Sequence, residues 1–306
     1  MKVVVTGGGG FIGSHLTDKL ISLGFEVVVI DNLSTGRQDN INPAVNFFKC
    51  DLSDSVNIPL INSEIKGSDA IFHLAAVPRV QYSFTNLLDS HKNNVESTIN
   101  LLVSAQQCGI KKFIFSSSSS VYGNCHDYKI SESQSPSPLS PYALQKHICE
   151  QYGKLFSEVY GIKFIALRYF NVYGDRQPTT GQYCTVLGKF NSMRSQKLPL
   201  TINNDGMQRR DFTHVADVVM ANILSYQSKL ENNFEVFNIG SGTNISVNEI
   251  AEYFGGETIK GDNIIEPKST LADISKAKEV LNWHPEGDVR EWIRQNRVIS
   301  NKSYIK

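Results

Sequence analysis

A doubly wound, parallel α/β sheet with a smaller C-terminal α/β lobe is the fold class that this 306-residue chain predicts. Three observations carry it. The chain opens on a short apolar run, KVVVT, that passes through glycines into a helical repeat and a second apolar run, EVVVID. Further runs, DAIFHLAA, KKFIFSS and IKFIALRYF, alternate with helical stretches. These runs are apolar throughout, as parallel strands covered on both faces are.

In the first unit, Ile12, Leu16, Leu20 and Leu23 recur at helical spacing, and Gly24 suits the C-cap. NNVESTINLLVSAQQCG reads as a helix closed by Gly109. SPYALQKHICEQYGKLFSEVYG reads as another, with Ser140 as N-cap and Pro141 in the first turn. From about residue 172 the rhythm breaks: strands shorten, GDRQPTTGQY reads as a loop, and FEVFNIG reads as a late strand returning to the sheet. The expected division is a nucleotide-binding domain over residues 1–171, with a return around 211–240, and a lobe over 172–306 that is mainly substrate-binding.

Composition excludes several classes. Thirty basic and thirty acidic residues cancel, with no charge block to hold a nucleic acid or an anionic membrane. No apolar run reaches the length of a membrane span, and KVVV already reads as a strand where a leader would lie. The five cysteines (Cys50, Cys108, Cys125, Cys149 and Cys184) are scattered, which fits reduced thiols in a cytoplasmic protein. His147 and Glu150 stand one turn apart, but two ligands do not make a metal site, and no metal is expected.

VTGGGGFIG places Gly7, Gly10 and Gly13 between a strand and a helix. Glycines there permit positive φ, close approach of a pyrophosphate and tight strand–helix packing, while the helix N-terminus faces the phosphates with free N–H groups. Asp31 closes the next strand at the distance expected for a ribose-binding acid. A carboxylate there repels a 2′-phosphate, which favours NAD over NADP; Arg37 nearby argues the other way from a poorer position. The reading is a Rossmann-type unit.

SPYALQK holds Tyr142 and Lys146 at i, i+4 on one helix face. A free tyrosine, with a pKa of about 10, is a poor base near neutrality. A nearby ammonium favours the phenolate, so the pair suits proton removal from a sugar or alcohol hydroxyl. The serine run FSSSSSVYGN ends a strand parallel to the first, where ligands of open α/β sheets bind.

Taken with LRYFNVYG, DGMQRRDFTHVADV, FNIGSG and LADISKAKEVLNW, these stretches resemble the extended short-chain dehydrogenase/reductase family, and within it the nucleotide-sugar epimerases and dehydratases. The resemblance runs from residue 3 to about 283. It implies NAD as cofactor, a UDP-sugar as substrate and a homodimer formed through the helix after NNV and the helix carrying Tyr142. The cofactor cleft it implies comprises Gly7, Gly10, Phe11, Ile12, Gly13, Asp31, Asn32, Ser34, Asp51, Leu52, Leu74, Ala75, Ala76, Asn94, Ser116, Tyr142, Lys146 and Tyr169. Tyr142 takes the proton of the sugar 4-hydroxyl, C4 gives hydride to NAD, Lys146 lowers the tyrosine pKa, and Ser118 or Ser120 bridges the 4-oxygen.

The fate of the oxidised sugar depends on the serine run. The family's 4,6-dehydratases carry an Asp-Glu pair where this chain has Ser119 and Ser120, and its decarboxylases keep a glutamate at 120. Without those acids the 4-keto sugar is left to be reduced again from the opposite face, which is 4-epimerisation. For the substrate, the resemblance assigns Asn171 and Arg210 to the diphosphate, Asn203 to the base, Thr270 to the size of the C2 substituent, and Arg79 and Ser83 to the sugar. Arg209 is expected to be structural, and the competing role for Arg210 is a salt bridge to Asp211 or Asp217. A second phosphate arginine of the family falls here on Ile259 or Asn263, with Lys260 and Lys268 as candidate replacements. Threonine at 270 leaves room for an N-acetyl group, so UDP-hexose or UDP-N-acetylhexosamine is the expected substrate. The competing readings are a UDP-glucuronate 4-epimerase, a nucleotide-sugar 4,6-dehydratase, and a non-catalytic NAD-sensing protein on the same fold.

Overall fold

The computed structural model describes residues 1–124, 129–179, 181, 184–264 and 266–302, the last six of these by backbone alone. Six strands and six helices build the first part in alternation: β1 (Lys2–Thr6), α1 (Phe11–Ser22), β2 (Glu26–Asp31), β3 (Asn46–Lys49), α2 (Ile58–Ile65), β4 (Ala70–His73), α3 (Val80–Thr85), α4 (Leu87–His91), α5 (Ser97–Gln107), β5 (Lys112–Ser118), α6 (Pro141–Tyr160) and β6 (Lys163–Tyr169). The strand Phe234–Ile239 pairs with β6, so FEVFNIG does return to the sheet. All seven strands run parallel, in the order 234–239, β6, β5, β4, β1, β2, β3. The chain reverses its winding between β1 and β4, which opens a crevice at the C-terminal ends of the strands.

The two faces of the sheet carry separate cores. On one, Val3, Val5, Phe72, Ile114 and Leu167 pack with Leu16 and Leu20 of α1 and with Val218 and Ala221 of the helix Val215–Gln227. On the other, Val4, Ile71, Phe113 and Phe164 pack with Ile61, Leu101, Leu102 and Cys149 of α2, α5 and α6. Alternate residues of each strand serve opposite faces, and both faces are apolar because both are covered.

Local signals act as expected at most helix ends. Ser140 accepts from the Ala143 N–H at 3.2 Å, and Gly24 and Gly109 turn the chain at φ +81° and +70°. Leu23 departs from the helical pattern: α1 ends at Ser22, and Leu23 is left 46% exposed. The helix after NNV also begins irregularly, with a wider π turn over Lys92–Glu96 before α5. Such turns insert a residue into the helix and rotate neighbouring side chains out of register.

Beyond residue 172 the short strands form three pairs. They are Val172–Tyr173 with Thr213–His214, Leu200–Ile202 with Thr258–Lys260, and Arg209–Arg210 with Ile245–Ser246. A third core of Tyr173, Leu187, Phe190, Phe254, Trp292 and Ile293 holds this lobe. No helix among the described residues is long and apolar enough to cross a membrane.

Helix α6 approaches the sheet closely. A Cβ on Gly153 would lie 2.4 Å from the Phe164 ring, which itself stacks on Phe113 at 5.4 Å. Gly153→Ala should therefore destabilise the chain by about 1–3 kcal/mol through overpacking, read as a lower urea midpoint at unchanged slope.

Candidate functional site

The glycine turn is tight. The Gly10 N–H donates to the Gly7 carbonyl at 3.0 Å, and a Cβ on Gly13 would lie 2.2 Å from that same oxygen. No side chain caps α1, so its first N–H groups remain for a ligand. Asp31 is locked at the cleft edge, accepting from the Gly9 N–H at 2.8 Å and the Leu33 N–H at 2.7 Å. Arg37 lies out in solvent, paired with Asp39 at 3.1 Å.

One cleft of about 470 Å³ runs from this turn to Tyr142 and Lys146. It brings together Gly7, Gly10, Phe11, Ile12, Gly13, Asp31, Asn32, Ser34, Asp51, Leu52, Leu74, Ala75, Ala76, Ser116, Tyr142, Lys146 and Tyr169. Asn94 does not reach it. Its amide lies buried against the Val77 backbone, accepting from the Val77 N–H at 2.7 Å and donating to Gln145 at 2.8 Å. The π turn presents Asn93 to the cleft instead, with Ser97 beyond it. Sequence reasoning missed Asn93, Cys50 and Pro178 as lining residues; Asn93 adjoins the assigned Asn94 and Cys50 the assigned Asp51, and the π turn is what exchanges Asn93 for Asn94.

At the far end, the serine run divides. Ser116 and Ser117 continue β5, Ser118 ends it, and Ser119 and Ser120 enter a 3₁₀ turn. Alternation along the strand gives each a different task. Ser116 meets the Tyr169 hydroxyl at 3.1 Å, and Ser117 donates to Glu150 at 2.5 Å. Ser118 hydrogen-bonds the Tyr142 phenol. Ser120 donates its hydroxyl to Ser118 at 2.9 Å. Ser118 is therefore the direct neighbour of the phenol, and Ser120 stands behind it.

Burial pushes Tyr142 up to about 12, and the Ser118 hydrogen bond and the Arg79 guanidinium pull against it. Lys146 is not what offsets that burial. Its ammonium donates to the Ser116 carbonyl at 2.7 Å and lies 5.9 Å from the Tyr142 ring centroid, and burial draws Lys146 itself down to about 8. Behind the pair, Arg168 grips Glu150 with Nε at 2.9 Å and Nη2 at 2.6 Å, and His147 lies 3.6 Å from the same carboxylate. This cluster is a buried ion pair; no group of three or more metal-ligand side chains occurs among the described residues.

A second cleft of about 640 Å³ adjoins the first, since Arg79, Val172 and Thr185 line both. It brings together Arg79, Asn171, Asn203 and Arg210. Asn171 holds a positive φ of +29° at the end of β6, and its amide donates to the Asp211 carbonyl at 2.7 Å. Ser83 and Thr270 do not line this cleft. Ser83 is buried under α6, accepting from the Tyr142 N–H at 3.0 Å, and Thr270 lies within 3.5 Å of the Asn171 amide. Arg210 pairs with Glu266 at 2.5 Å, and neither Asp211 nor Asp217 takes that part. Arg209 is held by Asn244 and Glu249.

The family model for the NAD-dependent epimerase/dehydratase family matches residues 3–240. The chain belongs to this family. Its cofactor is accordingly NAD, and the uncapped α1 N-terminus, the Gly7–Gly13 turn and the locked Asp31 fit that group. Among relatives of the chain, the UDP-glucose 4-epimerase of Streptococcus mutans is 33% identical over 100% of this chain and 98% of the relative. The UDP-glucose 4-epimerase of Thermotoga maritima, solved with UDP-glucose, superposes with a TM-score of 0.93 at 35% identity, covering 99% of both chains. A UDP-N-acetylglucosamine 4-epimerase from Methanobrevibacter ruminantium, in complex with UDP-N-acetylmuramic acid, gives 0.90 at 37% identity over 99% of this chain and 98% of the other.

Burial pushes the Glu150 carboxyl up, but the Arg168 fork and the His147 and Ser117 contacts outweigh it and hold the group below the usual carboxylate range. Its contribution to stability is therefore present above the ordinary carboxyl pKa of about 4.3 and is lost as pH falls through the folded value. Glu150→Gln should cost about 3–5 kcal/mol near neutrality, because it strands the Arg168 charge. The loss should shrink in acid, as denaturant titrations at pH 7 and pH 4 would show.

Proposed function

We propose that the chain is a UDP-hexose or UDP-N-acetylhexosamine 4-epimerase that inverts C4 through a transient 4-keto sugar. The observation that carries this is the neighbourhood of Tyr142: a chain of hydroxyls from Ser120 to Ser118 to the phenol, with no carboxylate anywhere in residues 115–124. Elimination at C5 and C6 needs an acid–base pair, and this strand end carries none. NAD, when bound, supplies the acceptor for the C4 hydride. Tyr142 takes the 4-hydroxyl proton, Ser118 orients the oxygen, and the same phenol returns the proton at the end of the cycle. Lys146, held by the Ser116 carbonyl at the cleft wall, would hold the nicotinamide ribose, while Ser118 and Arg79 favour the phenolate.

Asn171, Asn203 and Arg210 are proposed to hold the UDP moiety in the second cleft, with Arg79 at the junction next to the sugar. Their shared lining of one cavity supports this. Acceptance of an N-acetyl group at C2 is carried by the resemblance alone, because Thr270 stands behind Asn171 and off the cleft wall. The likeness to a UDP-N-acetylglucosamine 4-epimerase agrees. We place the enzyme in the cytoplasm.

Incubation with UDP-N-acetylglucosamine should yield UDP-N-acetylgalactosamine on chromatography, and UDP-glucose should yield UDP-galactose. Tyr142→Phe should lower kcat by about 10²–10⁴ and Ser118→Ala by a smaller factor, with binding of UDP unchanged. Product from UDP-glucuronate alone would transfer the assignment to the uronate; a 4-keto-6-deoxy product would make the enzyme a dehydratase. No product from any UDP-sugar, with wild type as inactive as Tyr142→Phe, would favour an NAD sensor.

The homodimer is proposed on a second observation. Leu144, Leu155 and Val159 of α6 are 49–60% exposed on one stripe, next to Phe84 of α3 and Leu88 of α4 at 56% and 84%. An apolar stripe of this kind on packed helices suits a partner copy. Leu155→Glu should convert the dimer to a monomer by light scattering, with little change in the far-ultraviolet spectrum.

A further inference from the structure

The second cleft also indicates which cation stands in for the phosphate arginine replaced by Ile259 or Asn263. A diphosphate diester carries two negative charges. Arg210 lines the cleft, but Glu266 holds its guanidinium, and the same carboxylate accepts from Asn204 at 3.0 Å and Gln208 at 3.1 Å. Arg210 and Glu266 are charge-neutral as a unit, and Arg79 stands at the junction with the first cleft, on the sugar side, so a dianion deeper in this cleft calls for another cation. Lys189, Lys260 and Lys268 are all exposed, but neither Lys260 nor Lys268 lines the cleft. Lys260 closes a short strand paired with Leu200–Ile202, and Lys268 is held near Arg209 by its own carbonyl.

Lys189 does line it. It lies in the first turns of the helix Val186–Ser195, whose N-cap Thr185 faces both clefts. Leu187 and Phe190, fully buried in the third core, fix that helix against the lobe. The lysine therefore rides on a rigid element at the wall of the cavity, and it forms no salt bridge among the described residues. Arg79, Cys184 and Lys189 line the same cleft. An ammonium on a four-carbon stem, with three donors and no acid paired to it among the described residues, suits an arriving phosphate.

We propose that Lys189 is the second diphosphate-binding cation of this chain, acting with Arg210 in the cleft that receives the UDP moiety. This rests on the UDP-sugar reading, so the test separates the two. Titration calorimetry on the NAD-loaded full chain would compare UDP with uridine, whose difference reports the diphosphate alone. Wild type should bind UDP at least 100-fold more tightly than uridine. Lys189→Ala should weaken UDP by ten-fold or more and leave uridine within two-fold. Lys189→Arg should recover most of the loss, and Lys260→Ala and Lys268→Ala should match wild type. Unchanged UDP affinity in Lys189→Ala, or an equal loss for uridine, overturns the role of Lys189. A wild type that binds UDP no better than uridine overturns the UDP-sugar reading itself, whatever the variants do.

Discussion

The close seating of α6 on β5 and β6 is the constraint on which the rest of the site depends. Gly153 lets the helix lie against the Phe164 ring with no side chain between them. One turn earlier, Glu150 reaches Ser117 of β5 and Arg168 of β6 at once, tying the helix to both strands through a buried charge pair. Such a pair adds little net stability over an apolar replacement, but it is costly to break and fixes a single register. Another turn back stands Lys146, and then Tyr142. The helix that is pinned by packing at one end thus carries the proposed catalytic pair at the other, with its position already determined.

Burial sets the electrostatics of that end. Tyr142 and Lys146 are both withdrawn from water, which raises the phenol to about 12 and lowers the ammonium to about 8. Desolvation moves both toward their neutral forms. A phenol in that state serves as a base only when positive charge and hydrogen bonds favour its anion. Ser118 and Arg79 provide part of that, and the Ser120 hydroxyl strengthens Ser118 as a donor by bonding to it. Cooperative chains of this sort are stronger in a low-dielectric site than each bond alone.

The second lobe answers a different demand. Its cleft mixes Arg79, Lys189 and Arg210 with Glu266, so its positive charge is partly cancelled before a ligand enters. A 4-epimerase must hold its nucleotide firmly, and the cavity offers for this a neutralised arginine and a separate lysine on a helix fixed by Leu187 and Phe190.

Much of this was legible in the chain itself. The apolar runs and the glycine turn determine a parallel sheet with a dinucleotide site, because strand burial, positive φ and helix capping are local properties of neighbouring residues. The spacing of Tyr142 and Lys146 and the lack of acids at 119 and 120 are likewise local. What only tertiary structure decided involves residues far apart in sequence. Asn94 is spent on the loop at Val77, since a π turn rotates it inward. Ser83 and Thr270 brace other residues and do not face the clefts, and Glu266 reaches Arg210 across 56 positions. Lys189 carries no motif, and nothing in its neighbours points to phosphate. Its place in the cleft comes from the docking of a helix by buried Leu187 and Phe190, a long-range packing event that no local pattern encodes.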